Sequence, residues 1–356
     1  MRRSSSQDRA ILNLRAAELV EVRSEAEILS TLDANGRLDA LPFMPEMLTY
    51  CGRQFRVYKR ADKTCDTINS TPSGRWMRNT VHLDDLRCDG SAHGGCQARC
   101  LLFWKEAWLK RVQPHLLHRI ASRVRDLLGQ ALVRAVPSDS SMTRDLLMRT
   151  TRVSCDQNGP EEEIYSCQAT ELLKASAPLP WWDLRQYFRD LWSGNTSLPE
   201  LLNAVFFQAF QKTLKLGGYR AQIWTYNRFQ RMCGGTPYPF RSGTLTKTPT
   251  EESNLQPGDL VQVKTHDEIL GTLGPDNKNR GLRFDVEMVP FCGGKYRVLQ
   301  RVERIVNERT GRMSRLPGVC IMLEGVQCRS LYSYSRINCP RSIYSYWREI
   351  WLRRLE

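Results

Sequence analysis

The sequence has no long run of apolar residues. None of its apolar stretches reaches 18 residues within the 356-residue chain, whereas a membrane-spanning helix needs about 20. The basic start "MRRSSSQDRA" is not followed by an apolar segment, as it would be in a secretory signal. We therefore expect no membrane partner and a cytoplasmic location.

The sequence also lacks the short motifs that identify several common enzyme classes. It contains no P-loop, no GxGxxG between a strand and a helix, and no nucleophile elbow, so the usual signatures of nucleotide binding and serine hydrolysis are missing. No catalytic residue is predicted, and a non-enzymatic function is favoured over an enzymatic one.

Acidic residues are the minority among the charged side chains. Lys and Arg number 52 against 38 Asp and Glu, which gives a net charge of +14. Such a charge favours polyanionic partners such as nucleic acid. The basic residues are scattered rather than gathered in a tail, so a basic protein with a protein partner is the alternative. We predict a partner that is either nucleic acid or another protein.

An internal repeat dominates the sequence. Residues 19–60, which begin "LVEVRSEAEILSTL", align without a gap to residues 260–301, which begin "LVQVKTHDEILGTL". Of the 42 aligned positions 17 are identical, so we infer a duplicated unit. The alternating segments "QFRVYKR" and "KYRVLQRVERIV" predict half-buried strands, and "EAEIL" and "HDEIL" predict a short helical turn in each copy.

The repeat resumes at the end of each copy. "CQARCLLFWKEAWLKR" (96–111) matches "CPRSIYSYWREIWLRR" (339–354). Since proline favours the first helical position, Pro340 predicts that Cys339 is the N-cap of a C-terminal helix. The same helix is expected after Cys96. Its paired tryptophans, one turn apart, predict a core stripe, with an aromatic nucleic-acid platform as the alternative.

The entry "PGDLVQV" (257–263), followed by several short strands, resembles the SH3-like barrels of the KOW type. The resemblance covers about the first third of each copy. It implies a small β-barrel in each copy and binding to nucleic acid or ribosomal partners.

These patterns predict an α+β protein with two duplicated SH3-like β-barrel modules, each with a C-terminal helix, flanking a helical middle region. The middle contains apolar residues at helical spacing in 115–136, 181–192 and 197–216, the last with Ser197 as a candidate N-cap. The predicted divisions are a tail 1–16, module one 17–112, a helical middle domain 113–233, a linker 234–257 and module two 258–356.

Cysteine is abundant, with twelve residues, and clustered cysteines in a reducing compartment are more often metal ligands than disulfides. Three pairs recur in both modules. A thiolate site is predicted in module one, with Cys65 and His93 as reserve ligands. Module two offers three thiolates, with Cys320 in reserve and Ile343 at the fourth position. The predicted ligands are Cys51, Cys88, Cys96 and Cys100 in module one, and Cys292, Cys328 and Cys339 in module two.

Tetrahedral sulfur ligation suits zinc, with an iron–sulfur cluster as the alternative cofactor. Buried packing thiols and a disulfide are the alternatives to any metal. In module two, three ligands are typical either of an open, reactive metal site or of a degraded copy. We predict a metal-stabilised binding or scaffold protein. A metal-dependent or iron–sulfur redox or accessory enzyme is the alternative.

Overall fold

The protein has a mixed α+β fold with two curled antiparallel sheets and few helices. A computed structural model describes residues 11–69, 73–112, 142–153, 163–214, 218–232, 235–332 and 337–355. Within these residues, no helix combines the length and the apolar character needed to cross a membrane.

Module one is built around a five-stranded sheet with the order β8-β7-β4-β1-β9. The strands of module one are β1 Leu19–Val22, β2 Arg37–Leu38, β3 Leu41–Pro42, β4 Gln54–Arg60, β5 Lys63–Cys65, β6 Gly74–Trp76, β7 Thr80–Arg87, β8 Leu101–Lys105 and β9 Leu109–Arg111. The predicted helical turn is confirmed as α1 (Glu25–Leu29), which begins at Ser24 with a capping box.

The middle of the chain supplies most of the helices. Its elements are α2 Arg144–Thr150, β10 Arg152–Val153, β11 Ile164–Tyr165, β12 Ala177–Leu179, α3 Arg185–Trp192, α4 Leu198–Thr213 and α5 Tyr219–Met232. Ser197 caps α4 as predicted, whereas the helix predicted for 115–136 lies outside the described residues. Part of this region packs on module one, because β12 pairs with β6 and Leu172 is buried in the same core.

Module two repeats the sheet of module one. Its elements are β13 Leu260–Val263, α6 His266–Leu270, β14 Lys278–Asn279, β15 Leu282–Arg283, β16 Lys295–Val306, β17 Met313–Leu323 and β18 Leu352–Arg354. The sheet order is β17-β16-β13-β18, which matches β7-β4-β1-β9. The register also matches, since Leu19 lies opposite Arg56 and Leu260 lies opposite Arg297.

The C-terminal helix predicted for each module is wrong. Residues 101–111 form β8, a short 3-10 turn at Glu106–Trp108 and β9. Module two has the equivalent turn at Glu349–Trp351, followed by β18. The apolar and aromatic run of β8 is buried at every residue, a pattern that suits a strand packed on both faces. Cys96 and Cys339 are therefore not helix N-caps.

The tryptophans of this segment form the core, as predicted. The 3-10 turn brings both indoles of module one to Phe43, with ring centroids at 6.2 Å and 5.0 Å. The only polar atom of Trp108, Nε1, donates to the hydroxyl of Thr31 at 3.0 Å, so the ring is buried without an unpaired donor. The fully buried indoles are those of Trp104, Trp108, Trp347 and Trp351.

A buried glutamate in each 3-10 turn ties the preceding chain to the sheet. The carboxylate of Glu106 accepts the backbone amides of residues 12–14 at 2.9–3.0 Å and pairs with Arg60 at 2.7 Å. Glu349 does the same for the amides of residues 253 and 255 and for Arg301. Residues 12–14, within the predicted tail, are therefore bonded to module one.

The two modules contact one another reciprocally. The Sγ atom of Cys96 accepts the amide of Val306 at 3.3 Å. At the positions that the repeat makes equivalent, the thiol of Cys339 faces Cys65, and Arg341 donates to the Cys65 carbonyl at 3.2 Å. Each module thus offers the same patch to the other, as the two subunits of a twofold-symmetric dimer do.

Candidate metal centre

The cysteines of the described residues form no disulfide bonds in the structure. Two positions of the repeat have equivalent backbone contacts: the amide of Cys88 donates to the carbonyl of Cys100, and the amide of Cys328 donates to the carbonyl of Ile343, both at 2.8 Å. The chain therefore places Cys100 and Ile343 at matching sites, as the sequence alignment assumed.

One group of side chains in the described residues brings three metal-ligating atoms within 4.8 Å of one another: Glu46, Cys88 and His93. Glu46 lies in the 3-10 turn Pro45–Tyr50, Cys88 directly follows β7, and His93 lies in the loop after it. Their exposed fractions are 8%, 8% and 2%. The group therefore lies inside module one, between the 3-10 turn at Pro45–Tyr50 and the loop that follows β7.

The spacing within this group suits a shared ion. The Cys88 Sγ and His93 Nε2 atoms lie 3.4 Å apart. In a tetrahedral zinc site, a sulfur at about 2.3 Å and a nitrogen at about 2.0–2.1 Å would be separated by about 3.5 Å. The two side chains are thus already at ligand spacing.

The polar atoms of the group lack ordinary partners. Neither carboxylate oxygen of Glu46 has a hydrogen bond of ordinary geometry, and Nδ1 of His93 also has no partner. The polar group facing Glu46 is the thiol of Cys88, a weak donor. Buried polar groups are nearly always paired, so three unpaired atoms in one place point to a ligand that completes them.

Burial favours the neutral form of all three side chains. It raises the pKa of Glu46 to about 7, raises the pKa of the Cys88 thiol well above its usual value and lowers the pKa of His93. A buried cation reverses this balance for the carboxyl and the thiol, because it stabilises their deprotonated forms.

The loop after β7 fixes the position of His93. Backbone amides of His93 and Gly95 both donate to the carbonyl of Gly90, at 3.1 Å and 2.9 Å. Gly90 has a φ of +77°, and a Cβ there would lie 2.1 Å from the Cys96 carbonyl oxygen. Only glycine fits this position, so the tight turn that presents the imidazole depends on it.

Module two holds its equivalent glutamate differently. Glu287 matches Glu46 in the repeat, and its carboxylate accepts the backbone amides of Leu331 and Tyr332 at 2.9 Å and 2.7 Å. Cys328, which matches Cys88, lies 3.6 Å from the Ser330 hydroxyl. The loop of module two therefore satisfies the carboxylate with peptide groups, where module one leaves it unpaired.

The predicted ligands of module one are not all brought together. Burial raises the pKa of Cys51, whose nearby charges are those of Glu25 and Arg144 rather than of other thiols. Cys96 accepts a hydrogen bond from module two. Of the four predicted cysteines, only Cys88 belongs to the group within 4.8 Å, joined by His93, the reserve ligand.

The module-two thiols likewise form no group of three ligands within 4.8 Å among the described residues. The Sγ atom of Cys292 faces the carbonyl of Met288 at 4.0 Å. Cys320, the reserve residue, is fully buried beside Arg348. Burial raises the pKa of Cys292 and Cys328 to about 12, so these thiols are protonated at neutral pH.

Glu46 was missed by the sequence reasoning. A signal for it was present, because the apolar segments "FMPEML" and "FDVEMV" retain one acidic residue at the same place, Glu46 and Glu287. A carboxyl retained amid buried residues indicates a specific partner.

The donor set decides which cofactor fits. Oxygen, sulfur and nitrogen ligands with one further position suit a single divalent ion such as zinc. An iron–sulfur cluster needs cysteine thiolates around it, and the group contains one cysteine.

Neither protein-family models, nor curated proteins, nor solved structures show a significant match to the chain.

Proposed function

We propose that the protein is a metal-stabilised binding protein, and that a single divalent ion, zinc by preference, is held by Glu46, Cys88 and His93. The observation that carries the proposal is the buried carboxyl group of Glu46, which has no hydrogen bond of ordinary geometry yet lies within 4.8 Å of a thiol sulfur and an imidazole nitrogen. Binding of the ion would release up to two protons from Glu46 and Cys88 to the solvent, and the ion would supply the missing partner.

A structural role suits this ion better than a catalytic one. The three ligands are more than nine-tenths buried, so a substrate would reach them only after the loop opened. The ion would join the 3-10 turn at Pro45–Tyr50 to the end of β7 and the loop that follows. Because such a site does not exist in the unfolded chain, its binding free energy becomes folding free energy.

We further propose that the two modules are copies of one SH3-like unit and that the chain binds nucleic acid. The order of the four shared strands and the equal register of the first strand pair favour the first point. The second rests on the charge of +14 and on aromatic side chains exposed beside cations on the helices of the middle region. Trp224 is 64% exposed beside Arg228, a combination that stacks on unpaired bases.

The alternative of a redox enzyme has less support. A redox-active cysteine needs a lowered pKa and access to solvent. Burial instead raises the pKa of Cys100 to about 12 and that of Cys167 to about 11.

Metal analysis of the purified protein tests the proposed ion. We expect about one equivalent of zinc, no visible absorption, and loss of the metal in Cys88→Ser and His93→Ala. The matched control is Cys328→Ser, which changes the equivalent thiol of module two and should leave the metal content unchanged. Equal metal content in Cys88→Ser and the native protein would exclude the site.

Binding to single-stranded DNA and RNA tests the proposed partner. Affinity should fall steeply between about 50 and 200 mM salt, because phosphate contacts release counterions. Trp224→Ala should weaken binding, whereas Trp351→Phe, a change inside the core, should not. If neither nucleic acid binds at low salt, a protein partner replaces nucleic acid in the proposal.

A further inference from the structure

The two modules differ in charge at one place beside the 3-10 turn. In module one, the buried ammonium of Lys105 pairs with the carboxylate of Asp39 at 3.1 Å and also donates to the carbonyl of Arg78. Burial lowers the pKa of Lys105, and the nearby carboxylates of Asp39 and Asp62 oppose that effect. This cation is therefore neutralised by two acids of its own module.

A second cation of module one shares these acids. Arg60 binds the Asp62 carboxylate with two nitrogens, at 2.8 Å and 3.1 Å. Its third nitrogen bonds the carbonyl of Leu14 and the carboxylate of Glu106. Two cations and three carboxylates thus form a closed network, in which each cation is paired with at least one carboxylate.

Module two keeps the cations of this network. Arg348 takes the place of Lys105 and donates to the Gly318 carbonyl at 3.1 Å, the counterpart of the Arg78 carbonyl. Arg301 takes the place of Arg60 and contacts the Leu255 carbonyl and Glu349, the counterparts of Leu14 and Glu106. The cationic half of the network is therefore preserved in detail.

The two aspartates of the network have no counterpart in module two. The residue at the position of Asp39 is Arg280, and both lie at the same positive-φ turn, with φ of 50° and 46°. When the 241-residue offset is extended two residues beyond Arg60, the residue at the position of Asp62 is Glu303, which lies within the longer strand β16, is exposed, and forms no ion pair with Arg301 in the described residues. Two negative charges are lost and one positive charge is gained.

A pocket of module two lies where the carboxylates of Asp39 and Asp62 lie in module one. It has a volume of about 590 Å³ and is lined by all three arginines of the site, Arg280, Arg301 and Arg348. Its acidic lining includes Glu349, already bonded to Arg301, and Glu251, paired with Lys264 at 3.1 Å. Glu252 lies at the exposed edge. The volume is typical of small-molecule sites.

We propose that this pocket of module two binds a small organic dianion, a phosphate monoester or a dicarboxylate, whose charges replace the carboxylates of Asp39 and Asp62. Arg280 and Arg301 bind the anionic groups directly, and Arg348 holds the floor of the pocket through its carbonyl contacts. Planar guanidinium groups suit both phosphate and carboxylate. The site is independent of the metal centre, which lies in module one.

Calorimetric titration of the full-length protein tests the proposal. The probes are inorganic phosphate and succinate, with propionate as a monoanion of similar size. We expect at least one dianion to bind in the millimolar range or tighter, and more tightly than propionate. Phosphate binding alone would identify a phosphate ester as the ligand class, and succinate binding alone would identify a dicarboxylate.

Two charge reversals on one hairpin locate the site. Arg280→Asp restores the acid of module one and should weaken binding at least about tenfold, since a charge-assisted hydrogen bond is lost and repulsion is added. Arg283→Asp makes the same change at an exposed residue of β15 outside the pocket and should retain binding. Glu252→Gln should strengthen it.

The double variant Arg280→Asp, Arg348→Lys recreates the pair of module one and should fold without binding either probe. Circular dichroism checks the fold of every variant, and Arg280→Gln serves if Arg280→Asp does not fold. The proposal is overturned if the native protein binds neither dianion at millimolar concentration, or if Arg280→Asp and Arg283→Asp weaken binding equally.

Discussion

Replacing the equivalent glutamates of the two modules by glutamine should have effects that depend on metal in module one and do not depend on it in module two. In module two, Glu287→Gln removes a charged acceptor from two backbone amides. Hydrogen bonds to charged groups are worth about 1.5–3 kcal/mol each, and one amide would face the new NH₂ group. We expect a loss of about 2–3 kcal/mol in the free energy of unfolding, with or without zinc.

In module one, Glu46→Gln removes no hydrogen bond of ordinary geometry, because neither carboxylate oxygen accepts one. With the metal removed by a chelator at pH 7, the free energy of unfolding should not fall and should rise by up to about 3 kcal/mol, because glutamine avoids the cost of ionising a buried carboxyl whose pKa is raised from 4.5 to about 7. With zinc at about 1,000 times its dissociation constant, the native protein gains about 4 kcal/mol, and the variant should lose most of this gain.

Urea unfolding followed by tryptophan fluorescence measures both variants, since four indoles are fully buried in the two cores. Each protein is measured with chelator and with zinc. If zinc stabilises Glu46→Gln as much as the native protein, the carboxylate is not a ligand. If the metal-free Glu46→Gln variant is as unstable as Glu287→Gln, the carboxylate has a structural partner and the argument from its unpaired oxygens is wrong.

Three further predictions concern module one. Cys51→Ser should retain the metal that Cys88→Ser loses, as measured by metal content, because only Cys88 belongs to the ligand group. His82 is fully buried, and burial lowers its pKa from 6.5 to about 3. Below about pH 6.5 the imidazole is protonated in the unfolded chain but not in the native protein. Native stability should therefore fall as the pH falls from 6.5 to 3. His82→Met, which installs the residue that module two has there, Met322, should remove about 4 kcal/mol of this loss in unfolding experiments at several pH values. Gly90→Ala should lower the melting temperature and weaken zinc binding together, since its Cβ would clash with the Cys96 carbonyl; unchanged zinc affinity would contradict the role of the turn.

The repeat predicted the strands well because two aligned segments show the same alternation of apolar and polar residues. Strands β4 and β16 have the predicted bounds, and the short helices α1 and α6 lie where the repeated "EIL" segments place them. Alternation of apolar and basic residues determines a strand locally, so these elements needed no knowledge of distant contacts.

The segment 101–111 could not be resolved in the same way. Tryptophans four residues apart fit one face of a helix, but a strand followed by a 3-10 turn also brings Trp104 and Trp108 to one core. The choice depends on Glu106, whose buried carboxylate binds amides more than 90 residues away in the chain. No local pattern contains that information.

The group of Glu46, Cys88 and His93 was not predicted as a unit for a related reason. Matching cysteines by position emphasised thiols that the modules share, whereas the group in the structure combines Cys88 with Glu46 and His93. The difference between the modules lies in what meets the shared glutamate, an imidazole in one and peptide amides in the other. Residue types alone do not predict which backbone amides of a loop will point at a buried carboxylate.

The reciprocal contact between the modules has a consequence for how the protein can change. In a symmetric dimer of identical chains, every substitution appears at both equivalent sites, so a gain on one side is imposed on the other. Here Cys96 with Val306 and Cys339 with Cys65 keep the dimer-like contact, while a single chain encodes the two sides separately. Asp39 and Arg280 can therefore differ in charge without either half losing its fold. Covalent linkage frees one half to acquire a ligand while the other retains its closed network.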